Sequence, residues 1–380
     1  MAKAATQPTC ALLLTGGGAR AAYQVGVLKA IASLYPRNHA IPFPIICGTS
    51  AGAINATAIA CYASCFHLGV RKLEWVWKNF RINQVYRTDS VGVFGHLISN
   101  IMANFKADYA YKKPVSLLDN SPLRGLLEQV LEYKRIDRNI LSGALKALSV
   151  TASCYTTGDS ISFFQDNQLR HGWQRARRKG VPTIINNQHL LASSAIPGIF
   201  PSVRINQAYY GDGSVHQLAP LSPAVHLGAD KLFVIGVEKP QTSPIKPNPT
   251  HHPSLATVAG HLLDTVFADT LNSDLERLHR VNSTLDKVSF RELDNLDLKR
   301  IETLVINPSH DFRRIALEYF EQMPLTTRAL LRLFGVHKRS ESSLVSYLLF
   351  DKGYCQKLIE LGYQDGLAQK TQIKSFLQPR

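Results

Sequence analysis

Three short stretches of this chain combine residue types that could do chemistry. The first is Gly48-Thr49-Ser50-Ala51-Gly52, a G-x-S-x-G pattern. A serine on a sharp strand-to-helix turn presents its hydroxyl to a substrate. Small residues two before and two after it let neighbouring backbone pass closely. The N-terminus of the following helix directs partial positive charge to the place where an oxyanion would form. Five letters alone occur by chance, and a helix capped by Thr49 or Ser50 is the plain alternative.

The second stretch, Gly16-Gly17-Gly18-Ala19-Arg20, follows an apolar run. Successive glycines expose backbone N–H groups at a helix start, an anion cradle. Gly16-x-Gly18-x-x-Ala21 also fits a dinucleotide fingerprint, which asks for an acidic residue about 20 positions on. No Asp or Glu occurs from residue 1 to 73, so the nucleotide reading is disfavoured. An oxyanion hole built from the N–H groups of the 16–18 loop fits better. Arg20 either supports that loop, meets a substrate phosphate or makes a structural ion pair.

A nucleophilic serine needs a base. None of the thirteen histidines sits in a context resembling a catalytic loop. Asp212, in Gly211-Asp212-Gly213 at the end of a strand, is the alternative, because a shielded carboxylate beside a hydroxyl can take its proton directly. Asp-Gly is equally the signature of a type I′ hairpin turn, and local sequence leaves the two readings level.

These residues need elements to hold them. Ala11–Leu14 reads as a buried strand and 20–35 as a well-covered helix. Phe43–Cys47 is a second strand, with a small-residue helix from the elbow to about Tyr62. Strand, glycine loop, helix, strand, turn, helix is the alternation of a parallel α/β sheet with its loops gathered at one end. Residues 68–142 read as mostly helical, 144–165 as a hairpin around Thr157-Gly158-Asp159, and 187–196 as a helix. A strand over 203–210 leads into Gly211, Leu221–Ala229 is helical, and Lys231–Val237 is another strand. After a proline-rich linker at 241–253 come a long helix over 254–282, a strand at Glu302–Ile306 and a helical tail.

Composition narrows the class. With 45% hydrophobic and 19% charged residues among 380, the chain is globular rather than disordered. No apolar run reaches 18 residues, and the first residues lack a signal-peptide core, so a cytosolic protein without a membrane span is expected. Six scattered cysteines without zinc spacing read as packed thiols. A net charge of +15 points to anionic partners. The cluster Arg170, Arg175, Arg177, Arg178 and Lys179 around Trp173, and an amphipathic stretch at 325–339, are candidates for docking on an acidic membrane surface. No nucleic-acid motif accompanies the charge.

Taken in order, the glycine loop, the elbow, Ala192-Ser193-Ser194-Ala195-Ile196-Pro197-Gly198-Ile199-Phe200-Pro201 and Asp212-Gly213 resemble the patatin-like phospholipase family. Ser116–Leu123 and the tail around Ser346-Tyr347-Leu348-Leu349-Phe350 resemble its bacterial members. The resemblance implies a three-layer α/β fold with a mainly parallel sheet, a catalytic domain over 10–240, and a helical region over 254–380 packed on or completing it. It implies a serine lipid acyl hydrolase of phospholipase A or lysophospholipase type, with no cofactor and no metal. Ser50 is then the nucleophile, Asp212 the base, Gly16, Gly17 and Gly18 the oxyanion hole, and Gly48, Gly52 and Gly213 the close-packing positions. Phospholipid or lysophospholipid is the expected substrate, with peripheral association with anionic membranes and no nucleic-acid partner. Two positions depart from the family pattern: Ala21 follows the arginine where glycine is usual, and Ser214 follows Asp212-Gly213, placing a hydroxyl near the base. An α/β-hydrolase-type esterase or thioesterase with a catalytic histidine, and a non-catalytic anionic-lipid-binding protein, are the competing readings.

Overall fold

The computed structural model describes residues 8–87, 116–168, 170–240, 252, 255–289, 296, 298–333 and 343–378. A mixed ten-stranded sheet forms its centre, running β10-β9-β1-β2-β3-β4-β6-β5. The strands are β1 (Cys10–Leu14), β2 (Ile45–Thr49), β3 (Ala147–Cys154), β4 (Ser160–Asp166), β5 (Gln174–Arg175), β6 (Arg178–Pro182), β7 (Val203–Ile205), β8 (Ala208–Asp212), β9 (Lys231–Ile235) and β10 (Glu302–Ile306). The five strands from β10 to β3 are mutually parallel, whereas β4 and β8 each pair antiparallel with β3.

Every residue of β1, β2 and β9 is buried, as expected of parallel strands covered on both faces. In β1, Leu12 and Leu14 belong to one core and Ala11 and Leu13 to the other. The first core lies under α1 (Ala22–Ala32), α2 (Ala51–Ala60) and α3 (Phe66–Lys78). In α3, Phe66, Val70, Leu73 and Trp77 are the buried stripe, at helical spacing. Helices α4 (Ser121–Val130), α5 (Lys134–Leu141) and α6 (Asn187–Ser193) cover the same side. The second core is closed by α7 (Ser222–His226) together with Leu271 and Leu275 of a later helix.

The C-terminal region is part of this body. Strand β10 extends the sheet. Helix α8 (Leu255–Asp264) continues through a π turn at Thr265–Asp269 into α9 (Thr270–Leu285). Further on come α10 (Phe312–Tyr319), α11 (Leu325–Leu333), α12 (Leu344–Leu348), α13 (Lys352–Ala368) and α14 (Lys370–Leu377). Helix α13 lies against α1 at backbone distance: a Cβ on Gly26 would fall 2.0 Å from the Ile359 carbonyl oxygen, and one on Gly362 would fall 2.1 Å from that of Tyr23.

Several elements differ from the sequence reading. Strand β2 starts at Ile45, two residues late, because Pro42 and Pro44 have no N–H to give a ladder. The single strand expected at 203–210 is a hairpin, β7–β8, turning at Asn206 with φ 54°. The long helix continues past 282 and carries the π turn. The basic segment forms the short β5–β6 hairpin, unforeseen because its strands lack apolar alternation. The linker at 241–253 lies outside the described residues apart from residue 252. Among the described residues, no helix is long and apolar enough to cross a membrane.

Candidate active site

The carboxyl ends of β1, β2 and β3 bring the three sequence stretches together. Ser50 joins β2 to α2 with φ 55° and ψ −131°, a conformation that costs a non-glycine residue roughly 1–3 kcal/mol. Close packing explains the flanking glycines. A Cβ on Gly52 would lie 2.3 Å from the Leu14 carbonyl oxygen, and one on Gly48 would lie 2.5 Å from that of Gly52. The strained backbone is held by Ser193 at the end of α6: the Ser50 N–H donates to Ser193 Oγ at 2.9 Å, and that hydroxyl donates to the Thr151 carbonyl at 2.6 Å.

The Ser50 hydroxyl donates to Asp212 Oδ2 at 2.5 Å. Asp212 ends β8, which pairs with β3 at Ala152, and Gly213 opens a short 3-10 turn over Gly213–His216. Asp212-Gly213 is therefore not a hairpin turn. The loop had to be Gly at 213, where a Cβ would fall 2.1 Å from the Thr151 carbonyl oxygen. The carboxylate is fully buried, and burial pushes its pKa up to about 6, against the opposing hydrogen bonds of Ser50 and Ser214. Ser214 gives its N–H, 3.0 Å from Asp212 Oδ1, and its side chain also favours the carboxylate against burial. This is where the departure at Ser214 acts. Among the described residues, no histidine hydrogen-bonds to Ser50 or Asp212.

The glycine loop lies alongside. Gly18 has φ 53°, the left-handed region that glycine enters freely, and it borders the same cavity as Ser50. A Cβ on Gly16 would meet Ser214 Oγ at 2.6 Å, and one on Gly17 would meet a Val237 methyl at 2.6 Å, so the loop is pressed against its surroundings. Ala21 ends the 3-10 turn Gly18–Ala21 without strain. Arg20 does not face substrate space. It is buried, ion-paired with Asp264 at 3.3 Å, and hydrogen-bonded to Ser346 and Tyr347. Its ion pair with Asp264 matches the structural ion-pair reading, and its N–H bond to the Gly17 carbonyl ties it to the loop.

An apolar cavity of about 70 Å³ has Ser50, Gly18 and Ser194 in its lining. Its walls include Ile54, Leu73, Trp77, Leu123, Leu127 and Phe200. A buried hydroxyl paired to a carboxylate, in the wall of such a cavity, can be deprotonated while it attacks an electrophile carried on an apolar chain.

The proposed docking residues are placed less simply. Trp173 stacks between Phe164 and His226, at 4.9 Å from each ring, and is partly buried against the second core. Arg170 binds the His226 carbonyl and Gln168, and Lys179 binds Asp159. Arg175 and Arg177 are exposed. In 325–339, Leu331 and Thr327 are buried and Arg328 and Arg332 pair with Glu321. The side chains of Leu330 and Leu333, and residues 334–339 entirely, lie outside the described residues. All six cysteines are free thiols, five of them buried.

The patatin-like phospholipase family model matches residues 12–225, more than half of the chain, and the chain belongs to that family. At the level of the family it is a lipid acyl hydrolase. No curated protein matches the sequence. Among solved structures, VipD from Legionella pneumophila is 12% identical with a TM-score of 0.38, over 98% of this chain and 67% of that one. The type III effector protein ExoU is likewise 12% identical with a TM-score of 0.38, over 97% of this chain and 53% of its own. The chain thus spans about half the length of ExoU. A full-length ExoU complex with SpcU from Pseudomonas aeruginosa gives 16% identity and a TM-score of 0.22, over 41% of this chain and 35% of that one.

Proposed function

We propose that the chain is a serine phospholipase A or lysophospholipase in which Ser50 is the nucleophile and Asp212 the general base. The observation that carries this reading is the 2.5 Å hydrogen bond from Ser50 Oγ to Asp212 Oδ2, with Ser50 lining an apolar cavity. The acyl chain occupies the cavity and brings its ester carbonyl to Ser50. Asp212 takes the hydroxyl proton as Ser50 Oγ bonds to the carbonyl carbon. The N–H groups of Gly16, Gly17 and Gly18 hold the resulting oxyanion, a kind of contact worth ~3–4 kcal/mol of barrier per donor. The carbon–oxygen bond to the alcohol breaks, and the proton on Asp212 goes to the leaving oxygen. A water then gives its proton to Asp212, attacks the acyl-enzyme and releases the fatty acid, returning the proton to Ser50. Every step is balanced by the two side chains and water.

The substrate sits in a membrane, and the exposed cations support a peripheral approach to anionic surfaces. Thr49 pairs with Thr151, Ser153 with Ser160, and Ser160 with Arg178. That register puts the β5–β6 hairpin, with Arg175 and Arg177, at the same end of the sheet as Ser50.

The test is mass spectrometry of the products formed from mixed phospholipid and lysophospholipid vesicles, with wild type beside Ser50→Ala. Free fatty acid from wild type alone supports the assignment. Equal release by both proteins removes Ser50 from the reaction.

A further inference from the structure

The glycine loop is gripped by residues far beyond the segment that matches the family, and the grip is a closed ring of bonds. Arg20 Nη1 donates to the Tyr347 hydroxyl at 2.9 Å, that hydroxyl donates to Asp264 Oδ1 at 2.8 Å, and Arg20 Nη2 lies 3.3 Å from the same carboxylate oxygen. Arg20 Nε donates to Ser346 Oγ at 2.9 Å, and its guanidinium stands 3.8 Å from the centre of the Tyr347 ring. A planar fork with three partners has one orientation. The Arg20 N–H donates to the Gly17 carbonyl at 3.1 Å, so fixing the arginine fixes the turn that begins at Gly17.

The same C-terminal residues also touch the glycines directly. A Cβ on Gly18 would fall 2.3 Å from the Tyr347 carbonyl oxygen, and one on Gly16 would fall 2.8 Å from the Phe267 ring. Phe267 stacks on Tyr347 at 5.1 Å. Asp264 and Phe267 flank and occupy the π turn Thr265–Asp269. Such turns insert a residue into a helix and re-aim its side chains, and they recur at functional sites. Tyr347 and Asp264 do not line the cavity that Ser50 borders.

We infer that Asp264 and Tyr347 are positioning residues for the hydrolysis: through Arg20 they aim the Gly16–Gly18 donors at the oxyanion. The C-terminal region thereby completes the reaction centre as well as the fold. This inference rests on the assignment of Ser50 and the glycine loop made above. It requires an effect on the transition state and little on the bound substrate, because Arg20, Tyr347 and Asp264 hold the donor loop and none of the three side chains lines the cavity. Misplacing a catalytic group by about 1 Å costs on the order of 10²-fold.

The test uses full-length Tyr347→Phe and Asp264→Asn, each assayed well below its own unfolding temperature. Tyr347→Phe keeps the ring and its stacking while removing both bonds of the hydroxyl, so it decides the matter if Asp264→Asn does not fold. The readouts are kcat and KM for p-nitrophenyl butyrate and the inhibition constant of an alkyl trifluoromethyl ketone, whose bound form is an oxyanion. The expected result is a kcat lower by roughly 10- to 100-fold, KM within about twofold, and inhibitor affinity weakened in proportion to kcat. A lowered unfolding temperature with unchanged kcat and inhibitor affinity overturns the inference and leaves Tyr347 purely structural. Wild type and Ser50→Ala run beside them. If Ser50→Ala turns over as wild type does, the assignment of Ser50 falls and this inference falls with it. If Ser50→Ala is inactive and Tyr347→Phe is unimpaired, only the positioning role falls.

Discussion

Ser193 Oγ stands between the backbone of Ser50 and that of Thr151, accepting the N–H of one at 2.9 Å and donating to the carbonyl of the other at 2.6 Å. This buried hydroxyl ties the strained elbow to β3, the strand that also pairs with β8 and so places Asp212. Removing it takes one hydrogen-bond partner from each of two backbone groups in the buried core, a loss of about 1–3 kcal/mol. Ser193→Ala is expected to lose stability on that scale and to lower kcat about tenfold, while Ser193→Thr retains most of both. Urea unfolding and steady-state kinetics check it. An unchanged kcat in Ser193→Ala would show that the elbow holds Ser50 without this strut.

Activity should fall with acid. Burial raises the Asp212 pKa to about 6, and a base must be ionised, so kcat/KM drops as the pH falls through about 6 and is flat above it. Ser214→Ala removes a side chain that favours the carboxylate form of Asp212 and leaves the N–H of residue 214 in place. The proton is then held more tightly, and the acid limb moves to higher pH. A pH–rate profile of the two proteins measures the shift, and a movement to lower pH contradicts the assignment of the limb to Asp212.

Chain-length preference should follow the cavity. Ala58 borders it, and Ala58→Leu shortens the space for the acyl chain. Each methylene shut out forfeits about 0.8 kcal/mol, so kcat/KM should fall roughly fourfold per carbon for long esters and stay level for acetate. A series of p-nitrophenyl esters reads this. A uniform loss at all lengths would place the acyl chain elsewhere.

Neither a histidine nor a divalent metal should be needed. His216 is close to the base in sequence, its Nδ1 is buried with no hydrogen-bond partner among the described residues, and its ring meets Tyr155 edge-on at 6.3 Å. It makes no bond to Asp212. His216→Ala is expected to keep kcat within about threefold, and excess chelator should leave it unchanged. A thousandfold loss in a folded His216→Ala variant would point to a triad.

Docking on anionic vesicles should depend on the exposed arginines and not on Trp173. Each cation near an acidic surface contributes about 1 kcal/mol, so Arg175→Gln and Arg177→Gln should each weaken binding about fivefold at low salt. Co-sedimentation with neutral and acidic vesicles distinguishes this from binding that ignores charge.

How much of this was legible beforehand depended on sequence separation. Ser50, the three glycines and Asp212 each sit in a short motif whose neighbours carry the signal, so they could be nominated from the sequence, and the structure brings Ser50 and Asp212 to hydrogen-bonding distance. Even so, Asp212-Gly213 read equally well as a hairpin turn, because the decisive fact is the pairing of β8 with β3. Ser193 stands 143 residues from Ser50, and Tyr347 stands 327 from Arg20. No local pattern reports such partnerships, although both residues lie in stretches that resemble the family. Trp173 among cations looked interfacial, and only the stacking of Phe164 and His226 on it reveals a packed residue.

The pairing of Ser50 with Asp212 is tested most directly by Asp212→Asn, which keeps the shape and hydrogen-bonding size of the side chain but cannot take a proton at neutral pH. Fatty-acid release from phospholipid vesicles, followed by mass spectrometry at pH 8 for wild type, Ser50→Ala and Asp212→Asn, is the measurement. Loss of a general base costs on the order of 10²–10⁴-fold, so Asp212→Asn should retain at most about a hundredth of wild-type turnover while folding normally. Turnover near the wild-type rate in Asp212→Asn would contradict the Ser–Asp pair as the chemical centre.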